Sequence, residues 1–217
     1  MKDPATTRPT VTGIVLAGGR ASRFGGPKLD ARIDGETLLA LATWAVAEVT
    51  NDVLIAGPAL PAIAGIDQVT LRLVIDDQPF EGPLVAIWGA LRQAPGALAI
   101  VVGGDMPRLA PSVLRAMVER LATDDNVDAV TLEPPPGDQR EPRHLAALPL
   151  ALRVTTTLPV IETAVNSGDR SIVRLLGRLR SIELSASDWL ALDPDGRTLI
   201  DVDRPSDIEV ARRNDFR

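Results

Sequence analysis

The chain has 217 residues, 45% hydrophobic and 24% charged, with 3% aromatic residues, no cysteine and a formal net charge of −6. That length supports a sizeable aliphatic core in one large α/β domain or two small ones. The acidic balance, without a basic block, argues against nucleic acid as a partner, and the lack of cysteine excludes disulfides, thiolate metal sites and a cysteine nucleophile. Residues 1–10, MKDPATTRPT, are polar with two prolines and read as a flexible lead rather than a signal peptide. TGIVLA at 12–17 is a short apolar run ending at Gly18-Gly19, which predicts a buried parallel strand. From Glu36 to Val49 the apolar residues recur at helical spacing. DVLIA at 52–56 and LRLVID at 71–76 predict the second and third strands, and 82–94 predicts a helix. ALAIVVGGD at 97–105 predicts a fourth strand, 111–122 an amphipathic helix, and DAVTL at 128–132 a fifth strand. Strands alternating with helices over short links predict an α/β fold, a doubly wound, mostly parallel sheet with helices on both faces.

The pattern changes after residue 132. EPPPGDQREP at 133–142 reads as a loop, and a further apolar segment begins at His144. Residues 155–179 hold two helices with a break near Ser167-Gly168-Asp169. Residues 199–213 read as a strand end, a loop, and a helix with Pro205 at or near its start and acids in its first turn. The longest apolar run, 97–102, is too short to span a bilayer, so no membrane association is expected and the cytoplasm is the expected compartment.

In open parallel sheets, ligands sit beyond the carboxyl ends of the strands. Three polar clusters end strands here. In the first, Gly18 and Gly19 allow close backbone approach, and Arg20, Arg23 and Lys28 place three cations within nine positions. This suits an anionic ligand or a plain turn; neither GxxxxGK[ST] nor GxGxxG is present. In the second, Asp76 and Asp77 precede Gly82, which opens a helix whose N–H groups could face a ligand. In the third, Asp105 follows Gly103-Gly104. It suits either a Mg²⁺ ligand or a turn aspartate ahead of the next helix. Asp201 and Asp203 fall on one side of an extended segment, although Asp203 could equally cap the following helix. His144 is the only histidine, and no GxSxG elbow supports a hydrolase.

LAGGRASRFGGPK (16–28), DDQPFEGPLVAI (76–87), GGDMPRL (103–109) and DVDRPSDIE (201–209) resemble the MobA-like nucleotidyltransferases, most closely the molybdenum cofactor guanylyltransferases. The resemblance covers nearly the whole chain in order and spacing. It implies a Rossmann-like domain of the nucleotide-diphospho-sugar transferase type over 11–217. Residues 11–110 would bind nucleotide, and 111–217 the acceptor, with 133–175 covering the pterin. Leu16, Ala17, Gly18 and Gly19 would wrap the nucleotide, with Asp77 and Gly82 on the same ligand. Lys28, assisted by Arg23, would neutralise the triphosphate. Asp105 would ligate Mg²⁺, with Asp203 close to the metal or the acceptor phosphate. The implied reaction moves GMP from GTP to the phosphate of molybdopterin and releases pyrophosphate. Apo-molybdoenzymes and other cofactor-biosynthesis proteins are candidate partners.

The chain departs from the family pattern at four places. Phe24 and Pro27 stand where Met and Asp are common, Met106-Pro107 where Thr-Pro is common, and Asp201 and Asp203 where Asn often stands. LAGG rather than LAAG leans toward guanine over cytosine. The alternatives are cytidylyl transfer to the same acceptor, nucleotidyl transfer to another phosphorylated small molecule, and a non-catalytic nucleotide-binding module. Retention of both Lys28 and Asp105 argues against the last.

Overall fold

The computed structural model describes residues 9–18, 24–75, 82–137 and 147–212. Gly19, Arg20, Arg23, Asp76, Asp77 and His144 lie outside the described residues.

The runs read as buried strands form them because both faces of the sheet are covered. β1 (Val11–Leu16) pairs in parallel with β4 (Asp52–Ala56) on one side and β6 (Leu98–Gly103) on the other, and β4 continues to β5 (Thr70–Val74). On the far side lie β8 (Leu150–Arg153), β7 (Ala129–Leu132) and β9 (Ser181–Leu184). The order is β5-β4-β1-β6-β8-β7-β9, and only β8 runs antiparallel to its neighbours. The expected mostly parallel, doubly wound sheet is what the chain forms.

Alternation along each strand sorts the core into two layers. Val15, Val53, Ile55 and Val102 pack against α1 (Leu38–Ala47) and α3 (Pro111–Ala122). Ile14, Leu54, Ala56 and Val101 pack against α2 (Pro83–Leu91) and α4 (Val154–Asn166). Beyond α4 come α5 (Ile172–Leu176), α6 (Ala186–Leu190) and α7 (Asp207–Arg212). No helix among the described residues is long and apolar enough to cross a membrane.

Three local outcomes differ from the sequence reading. The helix expected from Glu36 starts at Leu38, because Glu36 and Thr37 form β3 (Glu36–Thr37), paired with β2 (Arg32–Ile33), and the Thr37 hydroxyl accepts from Ala40 N at 3.1 Å. The two-residue loop is Asp34-Gly35, with φ of 54° and 94°, the positive values a tight hairpin turn requires. The strand end expected at the start of 199–213 does not form. Residues 197–199 make a 3₁₀ turn, and the Val202 N–H donates to Asp105 O at 3.0 Å instead of joining a ladder. β9 and α6 were absent from the reading; α6 is announced by Ser185, whose hydroxyl accepts from Asp188 N.

Two buried carboxylates tie the second half of the chain together. Asp128 accepts both arms of Arg180 at 2.8 Å, and this pairing holds its carboxyl far below the ordinary range despite the opposing effect of burial. Asp169 accepts from Arg174 and Arg178, and is lowered to about 2, first by Arg174. A folded-state pKa below the unfolded value of ~3.9 stabilises the native chain above that value, and the contribution is lost as pH falls through the folded pKa. Stability should therefore decline from about pH 4 downward through pH 2. Urea midpoints between pH 5 and pH 2.5 should fall less steeply in an Asp128→Asn/Asp169→Asn double variant; identical slopes would refute the assignment.

Candidate functional site

The order β4-β1-β6 means that the chain leaves β1 toward one side first and returns on the other, so β1 and β6 flank the point where strand order reverses. A crevice opens at the carboxyl ends of two such strands. Leu16 is in register with Gly103 there, and Gly104 N–H donates to Leu16 O at 2.9 Å. The segments after β1 and after β6 thus leave the sheet side by side.

The Gly103–Met106 turn, closed by Met106 N–H to Gly103 O at 3.2 Å, directs Asp105 back over Gly103. A Cβ at Gly103 would collide with Asp105 Oδ1, so glycine makes room for the carboxylate. Lys28 arrives from the other segment. It begins a 3₁₀ turn, Lys28–Asp30, whose Leu29 packs against the core layer of α1; a Cβ at Gly104 would crowd Leu16 O at 3.0 Å and Leu39 at 3.1 Å. Lys28 Nζ donates to Asp105 Oδ2 at 2.7 Å and to Asp203 Oδ1 at 2.8 Å, with only 13% of the lysine side chain exposed.

Desolvation works against the charged form of Lys28, but its hydrogen bonds to Asp105 and Asp203 and their charges outweigh it, and the pKa is raised. The ammonium is therefore retained throughout the physiological range, and the stabilisation it brings fades only at pH above the ordinary lysine value. Asp201 belongs to the same group. Its carboxyl is pushed up, first by desolvation and then by the charges of Asp203 and Asp105. Val202 between them is fully buried, consistent with Asp201 and Asp203 sharing the outward side.

Two carboxylates, Asp105 and Asp203, converge on one ammonium, and Asp201 lies within range of their charges. Oxygen donors of this kind suit a hard divalent ion such as Mg²⁺, which takes one or two carboxylates and completes its shell with water and substrate phosphate oxygens. No group of three or more metal-ligand side chains occurs among the described residues, so a bound nucleotide would have to complete such a shell.

The other anticipated residues fall around this centre. Leu16 and Ala17 are buried, with Leu16 O and Ala17 N engaged by Gly104 and Ala56, so they shape the loop rather than present side chains to a ligand. Gly18 is exposed at the strand's end. Gly82, with φ of 104°, opens α2 without a side-chain cap, but its neighbour is Arg170 in the α4–α5 turn rather than the lysine–carboxylate group. Asp207, the first residue of α7, accepts from the backbone N–H of Asp203 and Arg204, a contact the sequence reading missed although Asp lies three to four residues on. A separate open groove of about 1120 Å³, lined by Thr10, Val49, Asn51, Pro95 and Arg115, lies at the amino-terminal edge of β1 and β4 and contains none of these residues.

Residues 13–182 match the MobA-like NTP transferase domain. A probable molybdenum cofactor guanylyltransferase of Chloroflexus aggregans is 28% identical over 211 residues, covering 93% of this chain and 93% of that protein. A molybdenum cofactor guanylyltransferase of Pseudomonas fluorescens is 31% identical over 186 residues, covering 84% of this chain and 87% of that one. Among solved structures, molybdopterin-guanine dinucleotide biosynthesis protein A from Archaeoglobus fulgidus superposes with a TM-score of 0.70 at 20% identity, over 93% of this chain and 96% of that one, a likeness of fold.

Proposed function

The chain belongs to the MobA-like NTP transferase family, and from that premise we propose that it moves GMP from GTP to the phosphate of molybdopterin, releasing pyrophosphate. The names of its full-length relatives support the substrates. The observation that carries the chemistry is Lys28 Nζ held between Asp105 and Asp203 at the β1/β6 crevice.

The acceptor phosphate is already a nucleophile, so attack on the α-phosphorus of GTP needs no general base. What the protein must supply is in-line placement of the two phosphates and compensation of charge on the departing pyrophosphate. Lys28 brings a compact ammonium to the triphosphate, and the partly buried Leu29 beside it packs the turn that carries it against the core. Asp105 and Asp203 would hold Mg²⁺, which supplies further charge neutralisation on the phosphate oxygens. The resemblance alone assigns assisting charge to Arg23 and a nucleoside contact to Asp77. The same reading places the enzyme in the cytoplasm, with apo-molybdoenzymes as recipients of its product.

The test is incubation with molybdopterin, Mg²⁺ and each nucleoside triphosphate in turn, with products weighed by mass spectrometry. The expected result is the guanine dinucleotide form from GTP, and its loss when EDTA removes the metal. A cytosine product, or no pyrophosphate from any triphosphate, contradicts the proposal.

A further inference from the structure

We propose that Asp207 is a positioning residue that aims Asp203 at the metal-binding point; this rests on the reading above that Asp203 faces the metal. Asp203 lies between the 3₁₀ turn at 197–199 and α7, outside any strand or helix. Two fixtures among the described residues flank it. Upstream, the Val202 side chain is fully buried and its N–H donates to Asp105 O at 3.0 Å, tying this strand of chain directly to the Asp105 turn. Downstream, Asp207 Oδ2 accepts from Asp203 N–H at 2.9 Å and from Arg204 N–H at 2.7 Å, while Ser206 Oγ donates to Oδ1 at 3.2 Å.

Asp207 is anchored in turn. It begins α7, and the buried Ala211 of that helix packs with Ile33, Leu38 and Val202. The Ala211 carbonyl accepts from Arg108 Nε at 2.7 Å, and Arg108 also pairs with Asp34 in the β2–β3 loop. A continuous set of contacts thus runs from a hydrophobic cluster through Asp207 to the backbone amide of Asp203. Fixing that amide fixes the direction of the Cα–Cβ bond, and with it the carboxylate that meets Lys28 at 2.8 Å. Asp203 is half exposed, at 52% of its side chain, so packing alone does not confine it. Without the Asp207 carboxylate, two solvent-facing amides turn to water and the Asp203 carboxylate gains freedom. The fold keeps its core and the site loses a preset ligand.

The experiment is a Mn²⁺ titration of the full chain followed by electron paramagnetic resonance, with a GTP analogue carrying a methylene bridge between its α and β phosphates. Wild type, Asp207→Ala, Asp203→Asn and the double variant are compared. Asp207→Ala is expected to weaken Mn²⁺ binding about tenfold, the usual scale for an outer residue that orients a ligand. The double variant is expected to bind no more weakly than Asp203→Asn alone, because the two changes remove one interaction. Wild-type affinity in Asp207→Ala, or a loss that adds in full to that of Asp203→Asn, overturns the inference. An Asp203→Asn variant that binds Mn²⁺ as wild type does removes the metal role of Asp203 and this inference with it, which is a separately visible outcome. Asp207→Ser, whose shorter hydroxyl cannot serve both amides, repeats the cycle with the same expectation should the alanine variant not fold.

Discussion

Replacing Lys28 with alanine is expected to lower kcat/KM for GTP by on the order of 100-fold or more, the scale set by removing one preorganised electrostatic donor. Two consequences of the geometry add. The triphosphate loses a fixed ammonium, and Asp105, Asp201 and Asp203 are left without their shared cation, so an approaching polyanion meets a more negative surface. Arginine should restore only part of the activity. Its planar fork is wider than an ammonium that touches two carboxylates at 2.7 and 2.8 Å from a single atom. Steady-state kinetics with GTP and molybdopterin decide the matter. Turnover near wild type in Lys28→Ala would remove the central residue from the proposed chemistry.

Replacing Trp189 with alanine is expected to cost about 3–5 kcal/mol of stability and to lower Tm by on the order of 10 °C for a chain of this size. Trp189 is fully buried in the core layer shared with α3 and β7. Its Nε1–H donates to Glu133 O at 2.9 Å, and Glu133 Oε2 accepts from Ala186 N at 2.7 Å, so the side chain both fills the core and holds α6 against the end of β7. Truncation leaves a large cavity and an orphaned carbonyl together. Calorimetry of the variant checks the figure, and a Tm within two or three degrees of wild type would mean that the surrounding layer collapses without cost. The site at β1/β6 is built from other elements, so residual activity below the new Tm should survive.

The strands that build the crevice were legible because their signal is local. VTGIVL, DVLIA and LAIVVG are predominantly apolar runs, as strands covered on both faces are, and 52–56 and 111–122 match the observed elements to the residue. Gly103-Gly104-Asp105 was also readable, since a glycine pair ahead of a carboxylate at a strand end allows close backbone approach. The Asp34-Gly35 hairpin carries an equally local signal in its turn dipeptide, directly before the helical periodicity that begins at Glu36. The strand end expected at the start of 199–213 does not form, for a different reason. Ile200 and Val202 pack with Ile33, Leu38 and Ala211, and Val202 N–H bonds to Asp105 O; Ile33, Leu38 and Asp105 are far away in sequence.

By itself, then, the sequence determined the sheet type, the identity of the charged residues at strand ends and the family pattern, all of which follow from residue types read over short windows. Tertiary structure alone decided that Lys28, Asp105 and Asp203, separated by up to 175 positions, meet at one ammonium, and that Asp207 reaches back to the amides of Asp203 and Arg204. Such meetings depend on how β1 and β6 lie side by side and how α7 docks on the hairpin. Those are outcomes of burial summed over the whole core, and no local window of sequence contains them.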